Sequence, residues 1–452
     1  MREEWEPKWI VEGRKPTFVS DEALMTFGGR KYFWGNVPAI DVVQLDRNEG
    51  AQYQGDLRLL FAASGDMRNV LETTYGKTVS MHINDKDFDI VARNLIITLA
   101  AFVAPDDAQA VDCMLHIWYS AMITRTHEDF LWARLRPLIS DVVLKIERKA
   151  PDAVLGKTWI FSAGTCRAEL TKSQWDLLLS YFEVPAALTT ERAQQIRTAV
   201  TLAPERQDHR DRHLCAQKPA HRACLWKFRE DGILLPFSSS REHFIVPNPY
   251  SAPYHRRGDL VTDSCFRTFY QSDDWPMKDS ADPLAGWSFP EILQVYSGPA
   301  SNDLYGKLYI HVRERLTTFR QRLSVRRCEF SFLSVNAKEL LTRMDNIRFA
   351  RIEVSNITDV GYLGMPQTAA YLGRLLDHPR GNPYSTLISL FLNAVDEAER
   401  SLGDMEMQMR DMVRAMPFFN RGGKPKSRYD PRIVLSTAAK DLMRDGDHYF
   451  NM

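Results

Sequence analysis

Residues 57–94 constrain the fold more than any other stretch of this chain. An apolar run of strand length, residues 57–63, ends at Ser64-Gly65-Asp66, and a short amphipathic helical pattern follows. A second short strand, residues 79–83, ends at Asn84-Asp85. Strand, helix and strand in this order predict a βαβ unit and hence an α/β fold.

The turn after the first strand has the composition of a nucleotide-type ligand site. A strand that ends at a small residue and turns into a helix points free N–H groups into the crevice above the sheet. Asp85 follows Gly65 at the distance where an acidic side chain accepts ribose hydroxyls. A single glycine favours a nucleoside without phosphates. The alternative is an ordinary βαβ unit in which Gly65 makes a tight turn.

An aromatic cluster precedes this unit. Tyr32, Phe33 and Trp34 are consecutive, and they are expected either to form an apolar wall beside the ligand crevice or to pack in the core. The wall interpretation adds Trp34 to the candidate ligand contacts.

The second half of the chain repeats the α/β pattern. A strand beginning near residue 349 ends at Ser355-Asn356, a helix is predicted over 367–376, and a buried strand over 385–393. We therefore predict one doubly wound, Rossmann-like sheet with a large helical and irregular central insertion. The predicted parts are an N-terminal half at 1–105, an insertion or cap at 106–300, a C-terminal half at 301–420 and a tail at 421–452.

Two parts of the predicted insertion carry polar side chains of chemical interest. The Pro-rich stretch 231–300 resembles a lid or binding loop, and Asp279 and Asp282 within it are candidates for acid/base chemistry or for capping loop backbone. Histidines and cysteines at 209–224 have the residue types of a zinc site. Their spacing matches no closed four-ligand pattern and Arg and Lys crowd them, which favours a solvated helix end and loop.

Bulk properties exclude some classes of function. The 58 basic and 58 acidic residues balance, so nothing indicates a nucleic-acid partner. No apolar run approaches the ~20 residues of a membrane span. The charged, aromatic first residues lack the apolar centre of a signal peptide, which predicts a cytoplasmic location and unpaired cysteines.

Several motifs also resemble a known family. The sequence is similar to an uncharacterised fungal family whose N-terminal domain is shared with axonemal dynein preassembly factors. That family looks like the class I S-adenosylmethionine (SAM)-dependent methyltransferases. The motifs that carry the resemblance are Phe33-Trp34-Gly35-Asn36, Ser64-Gly65-Asp66-Met67-Arg68-Asn69, Ile83-Asn84-Asp85, Asp279-Ser280-Ala281-Asp282 and Arg351-Ile352-Glu353-Val354-Ser355-Asn356.

The resemblance implies a SAM site and a reaction. Ser64, Gly65 and Asp66 fall on the glycine-rich first motif, Asn84 and Asp85 on the ribose-binding acid, and Ser355 and Asn356 beside the sulfonium. The implied activity is methyl transfer to a small molecule or peptide, with Asp279, Asp282 or His243 as proton acceptor. No resident metal is expected. The alternative is a non-catalytic assembly or scaffold protein that acts as a homodimer or with a protein partner.

Overall fold

The computed structural model describes residues 5–19, 27–76, 78–162, 164–186, 188–250, 275–395 and 397. The strands in this part of the chain are β1 (Asp56–Phe61), β2 (Thr78–Asn84), β3 (Met122–Thr124), β4 (Val154–Phe161), β5 (Gly164–Thr171), β6 (Phe244–Pro247), β7 (Arg327–Leu333), β8 (Arg351–Glu353) and β9 (Thr386–Ile388).

The α-helices of the described residues alternate with these strands. They are α1 (Lys8–Val11), α2 (Arg68–Glu72), α3 (Phe88–Val103), α4 (Asp107–Tyr119), α5 (Arg125–Phe130), α6 (Arg136–Ile146), α7 (Lys172–Ser180), α8 (Thr190–Thr201), α9 (Gln207–Cys215), α10 (Pro219–Asp231), α11 (Phe289–Gln294), α12 (Leu304–Val325), α13 (Leu340–Arg343) and α14 (Met365–Leu372). A π-helical turn, Leu131–Leu135, joins α5 to α6.

Seven strands form one mostly parallel sheet in the order β4-β5-β7-β2-β1-β8-β9. Only β4 runs antiparallel to its neighbour, because a tight connection joins it to β5 as a hairpin. The predicted βαβ unit is confirmed, since β1 and β2 pair in parallel with α2 between them. A separate two-stranded antiparallel ribbon pairs β3 with β6.

The apolar side chains of β1 enter two cores, one on each face of the sheet. Leu59 and Phe61 belong to the larger core, to which α3, α4 and α12 contribute. Leu60 alternates to the opposite face and joins a smaller core with residues of α13 and α14. A strand buried on both faces needs a continuous apolar run, as residues 57–63 provide. The protein is therefore a mixed α/β fold with helices on both faces of the sheet.

Two segments distant in sequence cross near the carboxyl ends of β1 and β2. We call them the crossing segments, residues 27–39 and 275–287. Their main chains are joined by hydrogen bonds from Lys31 N to Pro276 O at 3.0 Å, from Asp279 N to Phe27 O at 2.9 Å and from Ala39 N to Gly286 O at 3.1 Å. Residues 275–287 of the Pro-rich stretch are thus anchored to the N-terminal region.

Some predicted elements differ from the structure. Residues 106–300 were expected to be helical and irregular, but the hairpin of β4 and β5 adds two strands of that range to the sheet. The predicted buried strand at 385–393 is reduced to β9, a short, half-exposed strand at the edge of the sheet. The tail at 421–452 lies outside the described residues. Among the helices described, none combines the length and apolar character needed to cross a membrane.

Candidate functional site

The candidate site lies where the strand order reverses. From β1, the chain continues to β2 and β7 on one side and later to β8 and β9 on the other. Because β1, β2 and β8 are parallel, their carboxyl ends meet at one edge. In open α/β sheets, a crevice forms at such a reversal and ligands bind there. We call this the switch-point edge, formed by residues 62–67, 84–87 and 354–356.

Ser64 and Asn84 fix the turn after β1 to its neighbours. Ser64 N donates to Asn84 O at 2.8 Å, and Ser64 Oγ donates to Asp66 O at 2.8 Å. Asn84 Nδ2 donates to Ala62 O at 2.9 Å and to Val335 O at 3.0 Å. Both side chains were predicted to contact a ligand. In the structure, both side chains form hydrogen bonds with the protein backbone and fix the shape of the turn instead.

Asp66 is buried and bound within the protein. Its carboxylate accepts from Gly35 N at 2.8 Å and from Arg68 Nε at 2.6 Å. The buried Arg68 guanidinium also donates to Val37 O at 2.5 Å and to Gly286 O. This pair links the turn after β1 to both crossing segments. In the structure, Asp66 has a structural role, because its carboxylate accepts from Gly35 and Arg68.

Trp34 packs in the core rather than beside an open crevice. Its indole Nε1 donates to Trp118 O at 3.0 Å, and its ring lies nearly parallel to that of Tyr119 with centroids 6.2 Å apart. The partners of Trp34 come from α4, which fits the core-packing alternative for this residue.

Gly65 and Asp85 remain available at the edge. The amide N–H groups of Gly65 and Asp66 have no acceptor among the described residues. Asp85 is half-buried, and one of its oxygens accepts from Asp87 N at 2.8 Å. Burial raises the pKa of Asp85 to about 7. The edge therefore offers free donors beside a carboxyl that ionises near neutrality.

The turn after β8 is the second wall of the edge. Ser355 has φ of 51°, a left-handed conformation that costs about 1–2 kcal/mol for a residue with a Cβ. The turn is held by Ser355 N donating to Glu353 Oε1 at 2.7 Å and by Leu390 N donating to Ser355 O at 2.8 Å. Asn356 Nδ2 donates to Asp359 Oδ2 at 3.2 Å. The Ser355 hydroxyl makes no hydrogen bond with the described residues and stays half-buried at the edge.

Arg93 is a buried cation behind the turn that the sequence interpretation missed. Its Nη2 donates to Gly65 O at 3.1 Å, and its guanidinium lies 4.8 Å from the centre of the Phe33 ring. Its Nε and Nη1 have no partner in the described part of the chain, and burial lowers its pKa to about 10. The sequence does show an arginine inside the apolar run of α3. A buried charge there costs free energy unless it has a binding partner, which marks the residue as a candidate for function.

Glu353 is a buried carboxyl next to this charge network. Its side chain is 4% exposed, and burial, together with the negative charge of Asp66, raises its pKa to about 7. Since this pKa exceeds the unfolded value, the native state holds a proton that the unfolded state releases between about pH 4.5 and 7. Stability therefore falls as pH rises through that window.

We expect Glu353→Gln to raise the free energy of unfolding at pH 8 by about 1–3 kcal/mol, at roughly 1.4 kcal/mol for each pKa unit removed. Glutamine keeps an acceptor for Ser355 N but carries no charge. At pH 4.5 the variant and the parent should unfold at similar urea concentrations. Glu314→Gln, at an exposed position, is the control. An equal effect at both pH values would contradict this assignment.

The three predicted proton acceptors do not meet at the edge. Asp279 is buried and accepts from Arg206 Nε at 2.9 Å. Asp282 accepts from Leu284 N at 2.9 Å and from Tyr305 Oη at 3.0 Å, so the capping alternative holds for it. His243 is exposed beside Glu242, just before β6. The first two lie in the second crossing segment, and the third directly precedes β6 of the separate ribbon.

Comparison with known proteins gives one partial match. Residues 33–123 are similar to a domain of unknown function, DUF4470. No curated protein and no solved structure matches significantly. The matched range contains Trp34, the Ser64-Gly65-Asp66 turn, Asp85 and Arg93. It thus covers one wall of the switch-point edge and its links to the first crossing segment, and the resemblance to dynein preassembly factors stays a prediction.

Proposed function

We propose that the fold is Rossmann-like, of the class I methyltransferase type, and that the switch-point edge binds SAM for methyl transfer to a small molecule or peptide. The observation that carries the proposal is the strand reversal between β1 and β8, which brings the Gly65 and Ser355 turns to adjacent strands. A crevice of this kind is the usual ligand position in open parallel sheets.

The remaining free groups fit an adenosyl ligand in part. Asp85 is the group that would accept ribose hydroxyls, and the N–H groups of Gly65 and Asp66 would donate to the ligand. Arg93 adds a positive charge behind the turn that favours the ligand's carboxylate. Trp34, Ser64, Asp66 and Asn84 are bound to the protein, so fewer side chains remain for the ligand than the family resemblance implies.

Glycine at position 65 supports ligand approach. Gly65 does not have positive φ, and a Cβ there would meet only Tyr32 O at 3.8 Å, an ordinary contact. Neither a tight turn nor packing demands glycine here. Because glycine has no side chain, a ligand can approach the backbone and its free N–H groups closely at this position.

The chemistry expected of such a site is largely positional. Bound SAM supplies a methyl group on a sulfonium, and the protein's contribution is to orient an acceptor toward it and to exclude water. Because Asp279, Asp282 and His243 lie elsewhere in other contacts, the proposal assigns none of them a proton-transfer role.

Calorimetric titration of the purified protein with SAM and with its demethylated product tests the proposal. We expect saturable binding that strengthens between pH 6 and 8, as Asp85 ionises. Asp85→Ala should weaken it about ten- to a hundredfold, the value of one or two hydrogen bonds to a charged group. Asp152→Ala, at an exposed aspartate before β4, is the matched control. If no heat of binding is measured at millimolar SAM, the proposal that this site binds SAM is wrong.

A second candidate is a non-catalytic assembly or scaffold protein with the same fold. The Asp66–Arg68 pair favours it, because it joins the turn after β1 to both crossing segments and closes part of the edge from within. This candidate expects a stoichiometric protein partner, or a second copy of the chain, that Asp85→Ala still binds. It also expects no SAM binding, which separates it from the transferase.

A further inference from the structure

A cleft lies between the start of α10, α11 and the start of α12. None of the residues of the switch-point edge lines it. Its volume is about 330 Å³, and Lys218, His221, Phe289, Leu293 and Lys307 line it. Among the described residues no acidic side chain lines this cleft. We call it the basic cleft.

Two buried side chains in the basic cleft have a positive or protonatable group without an acidic partner. Lys307 is 7% exposed, and its Nζ donates to Leu293 O at 2.7 Å, with no described carboxylate within 4.0 Å. His221 is also 7% exposed, and its ring has no hydrogen-bond partner in the described chain. The ring nitrogens of His221 are not among the fully buried polar atoms, so a group that enters the cleft can reach them.

The electrostatic surroundings of His221 are positive. Burial first, and then the charges of Lys218 and Lys307, lower its pKa, and no carboxylate acts in the opposite direction. Lys218 is exposed and forms no ion pair with a described residue. Two lysines therefore lie near His221 in the cleft, and neither forms an ion pair with a described carboxylate.

The N-terminus of α10 borders the same cleft, since its N-cap residue Lys218 and its residue His221 both line the cleft. This helix has 13 residues, starts at Pro219 and has no side-chain cap on its N-terminal N–H groups. The N–H groups of Ala220 and His221 have no acceptor in the described residues. Free N–H groups at the positive end of a helix bind anions. The helix end and the unpartnered His221 ring are independent observations that favour the same type of ligand.

The opposite wall of the basic cleft is apolar. Phe289 and Leu293, both on α11, are each 43% exposed, which leaves hydrophobic surface beside the cationic groups. The volume falls within the usual range of small-molecule sites, about 300–1,000 Å³, and exceeds the needs of a bare inorganic anion. A ligand that fills the cleft combines an anionic head with an apolar body.

We propose that the basic cleft binds a phosphate monoester whose organic part is apolar. A phosphate monoester carries close to two negative charges and three acceptor oxygens. Two lysines and a histidine ring, beside the N-terminus of α10, supply more donors than the two oxygens of a carboxylate use. The apolar wall of α11 then receives the organic part. The proposal does not depend on the activity at the switch-point edge.

Calorimetric titration of the full chain in phosphate-free buffer tests this, with phenyl phosphate, inorganic phosphate and benzoate as probes. We expect phenyl phosphate to bind at least tenfold more tightly than either of the others. Lys307→Met, which keeps the buried stem, should weaken phenyl phosphate binding at least tenfold. Lys218→Met, at an exposed position that leaves the fold intact, should weaken it about three- to tenfold. Lys338→Met, at an exposed lysine elsewhere, should leave it unchanged.

Phe289→Ala separates the two halves of the ligand. It should reduce phenyl phosphate binding and leave inorganic phosphate binding unchanged. Three results would each overturn the proposal: no phenyl phosphate binding at millimolar concentration, equal binding of benzoate and phenyl phosphate, or full binding by the Lys218→Met variant.

Discussion

Asp66→Ala should lower the free energy of unfolding by about 3–5 kcal/mol, the usual result of removing one partner of a buried ion pair. The variant leaves the Arg68 guanidinium buried without its carboxylate and removes the acceptor of Gly35 N. The Arg68 guanidinium, which donates to both crossing segments, then loses the carboxylate that orients it. Urea unfolding followed by tryptophan fluorescence and by circular dichroism measures the change.

Two further variants make this result specific. Asp66→Asn keeps one carbonyl acceptor and should lose less stability than Asp66→Ala, while Asp152→Ala should stay within about 0.5 kcal/mol of the parent, as exposed substitutions do. A loss below about 1 kcal/mol for Asp66→Ala would show that the crossing segments are held by other contacts.

Gly35→Ala should also destabilise the protein, by about 1–3 kcal/mol, since a methyl group inserted into closely packed surroundings forces its neighbours out of place. A Cβ at position 35 would lie 1.3 Å from Arg68 Nη2. An arginine end usually moves at low cost, but this one is bonded to Asp66, Val37 and Gly286. Moving it breaks those bonds together.

Thermal and urea unfolding of Gly35→Ala and of Gly373→Ala, where a Cβ would meet nothing within 4 Å, provide the comparison. Because Gly35→Ala and Asp66→Ala disrupt the same network, the double variant should lose less stability than the sum of the two single losses. Full additivity would mean that Gly35 and Asp66 act separately.

The local parts of the fold could be predicted from the sequence. The run at 57–63 has the apolar continuity of a parallel central strand, and apolar residues recur at helical spacing after Phe88, where the structure has α3 with Asp87 as its N-cap. The strand ends at Ser64 and Ser355 follow from the same patterns. These features depend on neighbours within one element, so the sequence order contains them.

The partners of the polar side chains could not be predicted in this way. Asp66 and Asn84 have side chains that could contact a ligand. In the structure their oxygens accept from the backbone N–H groups of residues 35 and 335, and the sequence does not show that these distant residues lie nearby. The same holds for Asp279, which meets Arg206 across 73 residues. Side-chain type shows what a group can bind, while only the tertiary arrangement shows which partner is near.

Strands near the two ends of the sheet were the least predictable elements. Alternating burial in β5 is clear once Cys166, Ala168 and Leu170 are known to face a core. In the sequence, the same alternation is short and runs directly into the helical pattern that begins at Lys172. The strand predicted at 385–393 differs in the other direction. Its apolar run suggests burial, but β9 has only one neighbouring strand and is half-exposed.

The order of the strands has a consequence for synthesis on the ribosome. β1 and β2 are made early, but their outer partners, β8 and β7, follow roughly 250 residues or more later in the chain. At about 5–20 residues per second, both edges of this early pair wait roughly 12 to 50 s or longer for their neighbours. Unpaired edges attract other strands during that time. The nascent chain is therefore expected to need a chaperone until β8 has emerged, and truncation before residue 351 should yield aggregates rather than a smaller folded domain.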